Sequence, residues 1–269
     1  MTEERCEPCA LDLPPEPAGE PILRLVGVEK VLDGKKVLDG IHLDIPRGRI
    51  TAIIGLSGAG KSVMLKHMIG LVRPDRGQVL LDGVDIGGLS RKDLYEARKR
   101  FGMLFQTGAL FDSLSVFENV AFPLQEKTDL PEAEIRERVL HLLRKVGLEG
   151  AEEKYPDELS GGMVRRVALA RAMVMDPEII LFDEPTTGLD PIIRHSILDL
   201  ICRTYHEHKF TMVMISHDIP DIFHWCHHVV VLHRGKVIEA GPPESVRTSN
   251  SPFVRQLVEG DIFGPVQMM

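Results

Sequence analysis

Eight consecutive residues, Gly55-Leu56-Ser57-Gly58-Ala59-Gly60-Lys61-Ser62, carry the densest chemical signal in the chain. They fit G-x-x-x-x-G-K-[ST] without deviation, and each residue type answers a physical need of phosphate binding. Glycines let successive backbone N–H groups turn inward as a concave anion nest. A helix opening through Lys61, Ser62 and Val63 adds the positive end of its dipole. The Lys61 ammonium reaches the β- and γ-phosphates of a nucleoside triphosphate, and the Ser62 hydroxyl suits a coordination place on Mg2+.

Two further segments extend this chemistry. In Ile179-Ile180-Leu181-Phe182-Asp183-Glu184, four apolar residues read as a buried strand. Its two carboxylates stand at the C-terminal end, where open α/β sheets place their ligands. By itself such a run is an ordinary strand end entering a turn. Downstream of a phosphate-binding loop it assigns Asp183 to Mg2+ through water, and Glu184 to the water that attacks the γ-phosphate. In Leu159-Ser160-Gly161-Gly162-Met163, a serine and two glycines open the helical run MVRRVALARAMVM. Exposed N–H groups there make a second phosphate-binding surface. One phosphate-binding loop already serves one nucleotide, so Ser160, Gly161 and Gly162 imply completion of another subunit's site.

The flanking sequence supplies the scaffold. RITAII, ending at Ile54, is a short β-branched run that reads as a buried strand leading into Gly55. Upstream, ILRLVGV and KKVLDGIHLDI read as strands joined by a hairpin turn at Asp33-Gly34. QVLLDGVDI is a second strand pair around an Asp-Gly turn, Ser90 caps a helix through Arg98, and FGMLFQ returns as a strand. From Ser115 to about Met175 the strand signals stop. PEAEIRERVLHLLRKVGL reads as a helix with Pro131 in its first turn and Ile135, Val139, Leu142, Leu143 and Val146 at a period of 3.6. Strands resume with EIILFDE, TMVMIS and VVVLH, separated by helical segments after Pro191 and Asp218.

This alternation predicts an α/β fold: a phosphate-binding-loop core with a mostly parallel sheet, an N-terminal antiparallel β portion, and a helical insert at about 112–175. Residues 1–20, with four prolines and few large apolar side chains, read as a disordered tail. Residues 21–248 form the nucleotide-binding domain. In 249–269, Phe253, Leu257, Val258, Ile262 and Phe263 are too apolar for a solvated end, so this tail is expected to dock, on its own domain or across a dimer.

Taken in order, the motifs resemble the nucleotide-binding subunit of an ABC transporter over about residues 22–245. Gln106, ending FGMLFQ, matches the Q-loop, which in that family links Mg2+ and the γ-phosphate to the permease. Thr187-Gly188-Leu189-Asp190 matches the D-loop that crosses the dimer interface, and His217 in ISHD matches the switch histidine on the γ-phosphate. The resemblance implies an ATPase with ATP and Mg2+ as cofactors, working as a homodimer. Two ATPs lie head to tail, each between Lys61 of one subunit and Ser160 of the other. It implies Lys61, Gln106, Glu184 and His217 as catalytic, and Ser62, Gln106 and Asp183 as metal-binding. Leu32, Gly55 to Val63, Ser160 to Gly162 and Asp190 are implied around the nucleotide. Two positions depart from the pattern: Met163 replaces the usual Gln after LSGG, and Leu32 stands where an aromatic usually stacks on adenine.

A finer resemblance runs through RKDLYEARKRFGMLFQTGALF, DSLSVFENVAFPL and the C-terminal EGDIFGPV. These segments are similar to the ATPase of Mla-type, Mce-associated lipid transporters. That implies a peripheral subunit on the cytoplasmic face of the inner membrane of a diderm bacterium, coupling ATP hydrolysis to phospholipid movement between the two membranes. The implied partners are an integral-membrane permease, a periplasmic Mce-domain protein and often a STAS-domain protein. An ATPase of an amino-acid or polar-solute importer, or a soluble non-transport ABC protein, stays as an alternative. Phe105, Leu110, Phe111 and Phe117 make an apolar stretch beside Gln106, which either packs the helical insert or lines a groove for a permease helix.

Bulk properties narrow the class. A chain of 269 residues with 43% hydrophobic and 27% charged residues has an ordinary globular composition. Its net charge of -8 argues against nucleic acid as a partner, because binding by bulk charge needs a basic face. No apolar run approaches the roughly 18 residues needed to span a bilayer. The acidic, Pro-rich N-terminus lacks the basic start and apolar stretch of a signal peptide, so a chain retained in the cytoplasm is expected. Cys6 and Cys9 form one C-x2-C without a second pair, which does not make a zinc site. His206, His208, His224, His227 and His228 lack a carboxylate-rich shell and read as core or surface histidines.

Overall fold

The computed structural model describes residues 19–219, 221–261 and 263–265, so most of the tail expected at 1–20, with Cys6 and Cys9, lies outside the described residues. The chain forms two compact units, one from the residues up to Arg98 and from Thr211 onwards, the other from Lys99–Phe210.

The first unit opens with the hairpin β1 (Leu23–Leu32) and β2 (Lys35–Ile45), paired antiparallel from Leu23↔Ile45 to Leu32↔Lys35. Asp33 and Gly34 both take positive φ, 49° and 75°, as a two-residue turn matched to strand twist requires. Along β2, Ile41, Leu43 and Ile45 are buried while Gly40, His42 and Asp44 are exposed, the alternation of a sheet with one wet face. β3 (Ile50–Ile54) is buried throughout and leads to α1 (Lys61–Met68). β4 (Arg76–Leu81) pairs antiparallel with β1 and turns back at Asp82-Gly83 into β5 (Val84–Asp85), giving the order β2-β1-β4-β5. α2 (Arg91–Arg98) starts where the Ser90 hydroxyl accepts from the Asp93 N–H at 3.2 Å.

The second unit comprises β6 (Phe101–Leu104), α3 (Val116–Lys127), α4 (Glu132–Lys145), α5 (Gly161–Met173), β7 (Ile179–Asp183) and α6 (Pro191–His208). β6 and β7 are parallel, in register from Phe101↔Ile179 to Leu104↔Phe182. Residues 112–175 hold α3, α4 and α5, which pack on one another through buried Val120, Leu124, Val139, Leu143 and Val167. Pro131 stands at the N-cap of α4 rather than inside its first turn. Its fixed φ and missing N–H suit that boundary equally well.

The chain then completes the first unit with β8 (Thr211–Ile215), β9 (His228–His233), β10 (Lys236–Gly241), α7 (Pro243–Arg247) and α8 (Pro252–Glu259). β3 runs parallel to both β8 and β9, and β10 closes antiparallel on β9. The architecture is α/β, an antiparallel N-terminal sheet beside parallel buried strands. The helical segment expected after Asp218 is short, a four-residue 3-10 turn at Asp221–His224. Adjacent Ile222 and Phe223 are both buried within that turn. In the C-terminal tail, Val254 of α8 is buried and the Phe253 ring lies 4.0 Å from that of His233, while Phe263 is 81% exposed.

Candidate functional site

In the first unit, parallel pairing sets the site. Ile53↔Ile215 and Ile54↔Val231 bring the chains leaving β3, β8 and β9 to one carboxyl edge. Gly55 turns the chain there with φ 151°, and a Cβ on it would lie 2.1 Å from the Leu232 carbonyl oxygen, so only glycine fits. Gly60, at φ 104°, is the N-cap of α1; a Cβ there would meet the Val37 carbonyl oxygen at 2.8 Å. Gly60 provides no side-chain cap for α1, and no acidic residue stands in the helix's first turn. Leu56, Ser57 and Gly58 form the exposed crest, Ala59 and Gly60 are buried beneath it, and Ser62 and Val63 are half-buried.

The Lys61 ammonium is buried over this loop and donates to the carbonyls of Gly55 at 2.8 Å and Leu56 at 3.0 Å. His67, which nothing in the spacing singles out, braces the same helix. Its Nδ1 lies 2.7 Å from the Val63 carbonyl, and burial holds its pKa below the usual imidazole value. His217 is exposed just past β8, beside Asp218, whose N–H donates to the Ser216 hydroxyl at 3.1 Å. Leu32 ends β1 and is 38% exposed, an apolar platform without a π-face.

In the second unit, β7 delivers Asp183, 9% exposed, and the next residue breaks the strand: Glu184 takes φ 54°. That left-handed turn separates the directions of the two carboxylates, which the sequence could state only as adjacency. The register Leu104↔Phe182 brings Gln106 and Glu184 together. The Gln106 Nε2 donates to Glu184 Oε2 at 3.1 Å, and the Thr187 hydroxyl donates to the same oxygen at 3.0 Å. Thr187 was legible only as part of TGLD; its contact with Glu184 was not.

Ser160 and Gly161 are exposed at the start of α5, where the Ser160 hydroxyl accepts from the Met163 N–H at 3.3 Å. Gly162 packs so tightly that a Cβ would lie 2.8 Å from Ile193 Cγ2. Asp190 is engaged within the chain as the N-cap of α6, its carboxylate accepting from the N–H groups of Ile192 and Ile193, both at 3.1 Å.

The apolar stretch beside Gln106 divides in two. Phe117 is half-buried with the Arg136 guanidinium 5.6 Å from its ring, whereas Phe111, 44% exposed, pairs with Phe122 at 4.9 Å. A groove of about 950 Å3 lies alongside, lined by Thr107, Leu110, Asp112, Tyr155, Glu158 and Val164. Of the donors expected for Mg2+, the second unit holds the Asp183 carboxylate and the Gln106 amide oxygen, and the first holds the Ser62 hydroxyl. By chemistry alone, oxygen donors with a single carboxylate suit a cation that keeps several waters and shares substrate phosphates.

Comparison with known proteins gives the family. A family profile described as ABC transporter matches residues 38–187. The intermembrane phospholipid transport system ATP-binding protein MlaF of Haemophilus influenzae is 47% identical over 231 residues, covering 86% of this chain and 88% of that protein. A probable ribonucleotide transport ATP-binding protein, mkl, of Mycobacterium leprae is 43% identical over 246 residues, 91% of this chain and 71% of that one. Among solved structures, a dimeric ATP-binding cassette in a post-hydrolysis state bound to ADP and Pi superposes with a TM-score of 0.75 at 32% identity, covering 82% of this chain and 98% of that one. With a family match over more than half its length, and this identity to two ATP-binding proteins, the chain belongs to the ABC transporter family as one of its ATP-binding subunits.

Proposed function

We propose that this chain hydrolyses ATP to drive phospholipid movement between the inner and outer membranes of a diderm bacterium. The observation that carries the reading is the 47% identity, over 86% of the chain, to a relative named for intermembrane phospholipid transport. The exposed Phe111–Phe122 pair and the adjoining groove support a permease helix as the docking partner, which would hold the subunit at the cytoplasmic face of the inner membrane. A periplasmic Mce-domain protein and a STAS-domain protein complete the proposed assembly.

In this reading two copies close head to tail on two ATPs. Lys61 and the backbone N–H groups of Gly55 to Val63 grip the phosphates of one nucleotide, and Ser160, Gly161 and Gly162 of the other copy cover its γ-phosphate. Asp190 lies at the junction. Ser62, Asp183 and Gln106 would hold Mg2+, which supplies charge neutralisation on the phosphates when bound. Glu184 accepts a proton from water as its oxygen attacks the γ-phosphorus, the bond to the bridging β–γ oxygen breaks, and ADP and phosphate leave. His217 orients on the γ-phosphate. Positioning and charge do the catalysis, and the dimer reopens once the γ-phosphate is gone.

Purification of the chain from mild-detergent membranes, with mass spectrometry of what accompanies it, tests the assignment. A multi-span permease, an Mce-domain protein and bound phospholipid are expected. A permease with a solute-binding protein, or no membrane partner, would leave the ATPase and remove the lipid.

Leu32 carries a separate expectation. Stacking on an aromatic is worth about 1–3 kcal/mol for any base, and Leu32 supplies only apolar packing, with no hydrogen-bonding group that would tell adenine from guanine. ATP and GTP should therefore bind with similar affinity and be hydrolysed at similar rates. A strong adenine preference in competition binding would show that another group reads the base.

A further inference from the structure

We propose that Thr187 is a positioning residue for hydrolysis, aiming the Glu184 carboxylate at the attacking water. The inference rests on Glu184 acting as the base. A carboxylate at the end of a flexible side chain is a poor base until its plane is fixed. The backbone makes the first contribution, since a φ of 54° at Glu184 turns its side chain away from the line of β7. The hydroxyl of Thr187 then holds Oε2 at 3.0 Å, and fixing one oxygen fixes where the other lies.

Two donors share that oxygen, but they differ in how they are anchored. Gln106 reaches it from the exposed segment after β6. Thr187 belongs to the same tight loop as Glu184. Its own N–H donates to the Glu184 carbonyl at 3.3 Å, the Leu189 N–H donates to the Thr186 carbonyl at 3.3 Å, and the buried Arg165 donates to the Thr187 carbonyl at 3.3 Å. The hydroxyl therefore travels with the base, whereas the Gln106 contact depends on where its own segment lies.

Because Thr187 is exposed, Thr187→Val removes the donor at nearly constant volume without opening the core. In steady-state hydrolysis by the full-length chain, Thr187→Val is expected to lower kcat by about 10-fold to 100-fold, the cost of a base displaced by around an ångström. KM should stay within about twofold of wild type, since the contact matters only to the chemical step. Thr187→Ser, which keeps the hydroxyl donor, should restore kcat. ATP binding and ATP-driven dimerisation, followed in a Glu184→Gln background, should be unchanged when Thr187→Val is added.

A Thr187→Val chain with wild-type kcat, or a Thr187→Ser chain as impaired as Thr187→Val, would overturn the proposal. So would a defect confined to KM or to dimerisation, which would place Thr187 at the nucleotide or the interface. Wild-type turnover by Glu184→Gln would sink the base itself and this role with it, a result that the Thr187 variants alone cannot produce.

Discussion

Glu184→Gln is expected to reduce ATP hydrolysis by about 100-fold to 10,000-fold, the range for loss of a general base, while ATP still binds and closed dimers accumulate. The amide oxygen of Gln is nearly isosteric with Oε2 and still accepts from Thr187 and Gln106, so the loop geometry that now gathers on that oxygen survives. What disappears is the capacity to take a proton from water. Substrate binding does not use that capacity, because in the proposed mechanism the phosphates are held by Lys61 and backbone N–H groups. Single-turnover phosphate release should therefore collapse, and size-exclusion chromatography with ATP should show a dimer that the wild-type chain forms only transiently. Turnover at the wild-type rate would remove Glu184 as the base and require another group to activate the water.

The sequence was most legible where structure is decided locally. Asp33-Gly34 and Asp82-Gly83 mark their turns because only a few residue types tolerate the positive φ that both turns show. The loop from Gly55 to Ser62 was legible because phosphate binding dictates residue type at fixed spacing, and the close approaches at Gly55 and Gly60 show the steric reason for two of its glycines. Legibility ended where non-local packing decides. Nothing in EIILFDE announces the left-handed φ at Glu184 or the hydroxyl three residues on that reaches back to it. Phe111 and Phe117 look alike in sequence, yet one is exposed beside a groove and the other lies half-buried with Arg136 near its ring. Asp218 looks like a helix cap, yet the helical segment after it is a single 3-10 turn, and nothing in the local sequence states its length. The departures at Leu32 and Met163 were visible only against the family pattern, because each residue by itself is ordinary.

Lys61→Ala is expected to abolish nucleotide-dependent stabilisation while the fold survives, and to lower hydrolysis by about 100-fold to 1,000-fold, as for loss of one preorganised charge-stabilising group. For the wild-type chain, ATP at about 100 times its Kd contributes roughly 2.7 kcal/mol of stability. In a chain of this size that raises Tm by about 5–10 °C. Removing the ammonium leaves the carbonyls of Gly55 and Leu56 without its two hydrogen bonds, a cost of about 1.5–3 kcal/mol each at most for a charged donor, and less where water reaches the loop. The loop path itself is set by backbone turns at Gly55 and Gly60 that do not involve the lysine. Differential scanning fluorimetry with and without ATP and Mg2+ separates the two effects: a modest fall in Tm for the ligand-free variant, and no rise on adding nucleotide. If Lys61→Ala gained the full wild-type shift, phosphate recognition would rest on the backbone nest and the N-terminus of α1, and the buried ammonium would be a clasp for the loop alone.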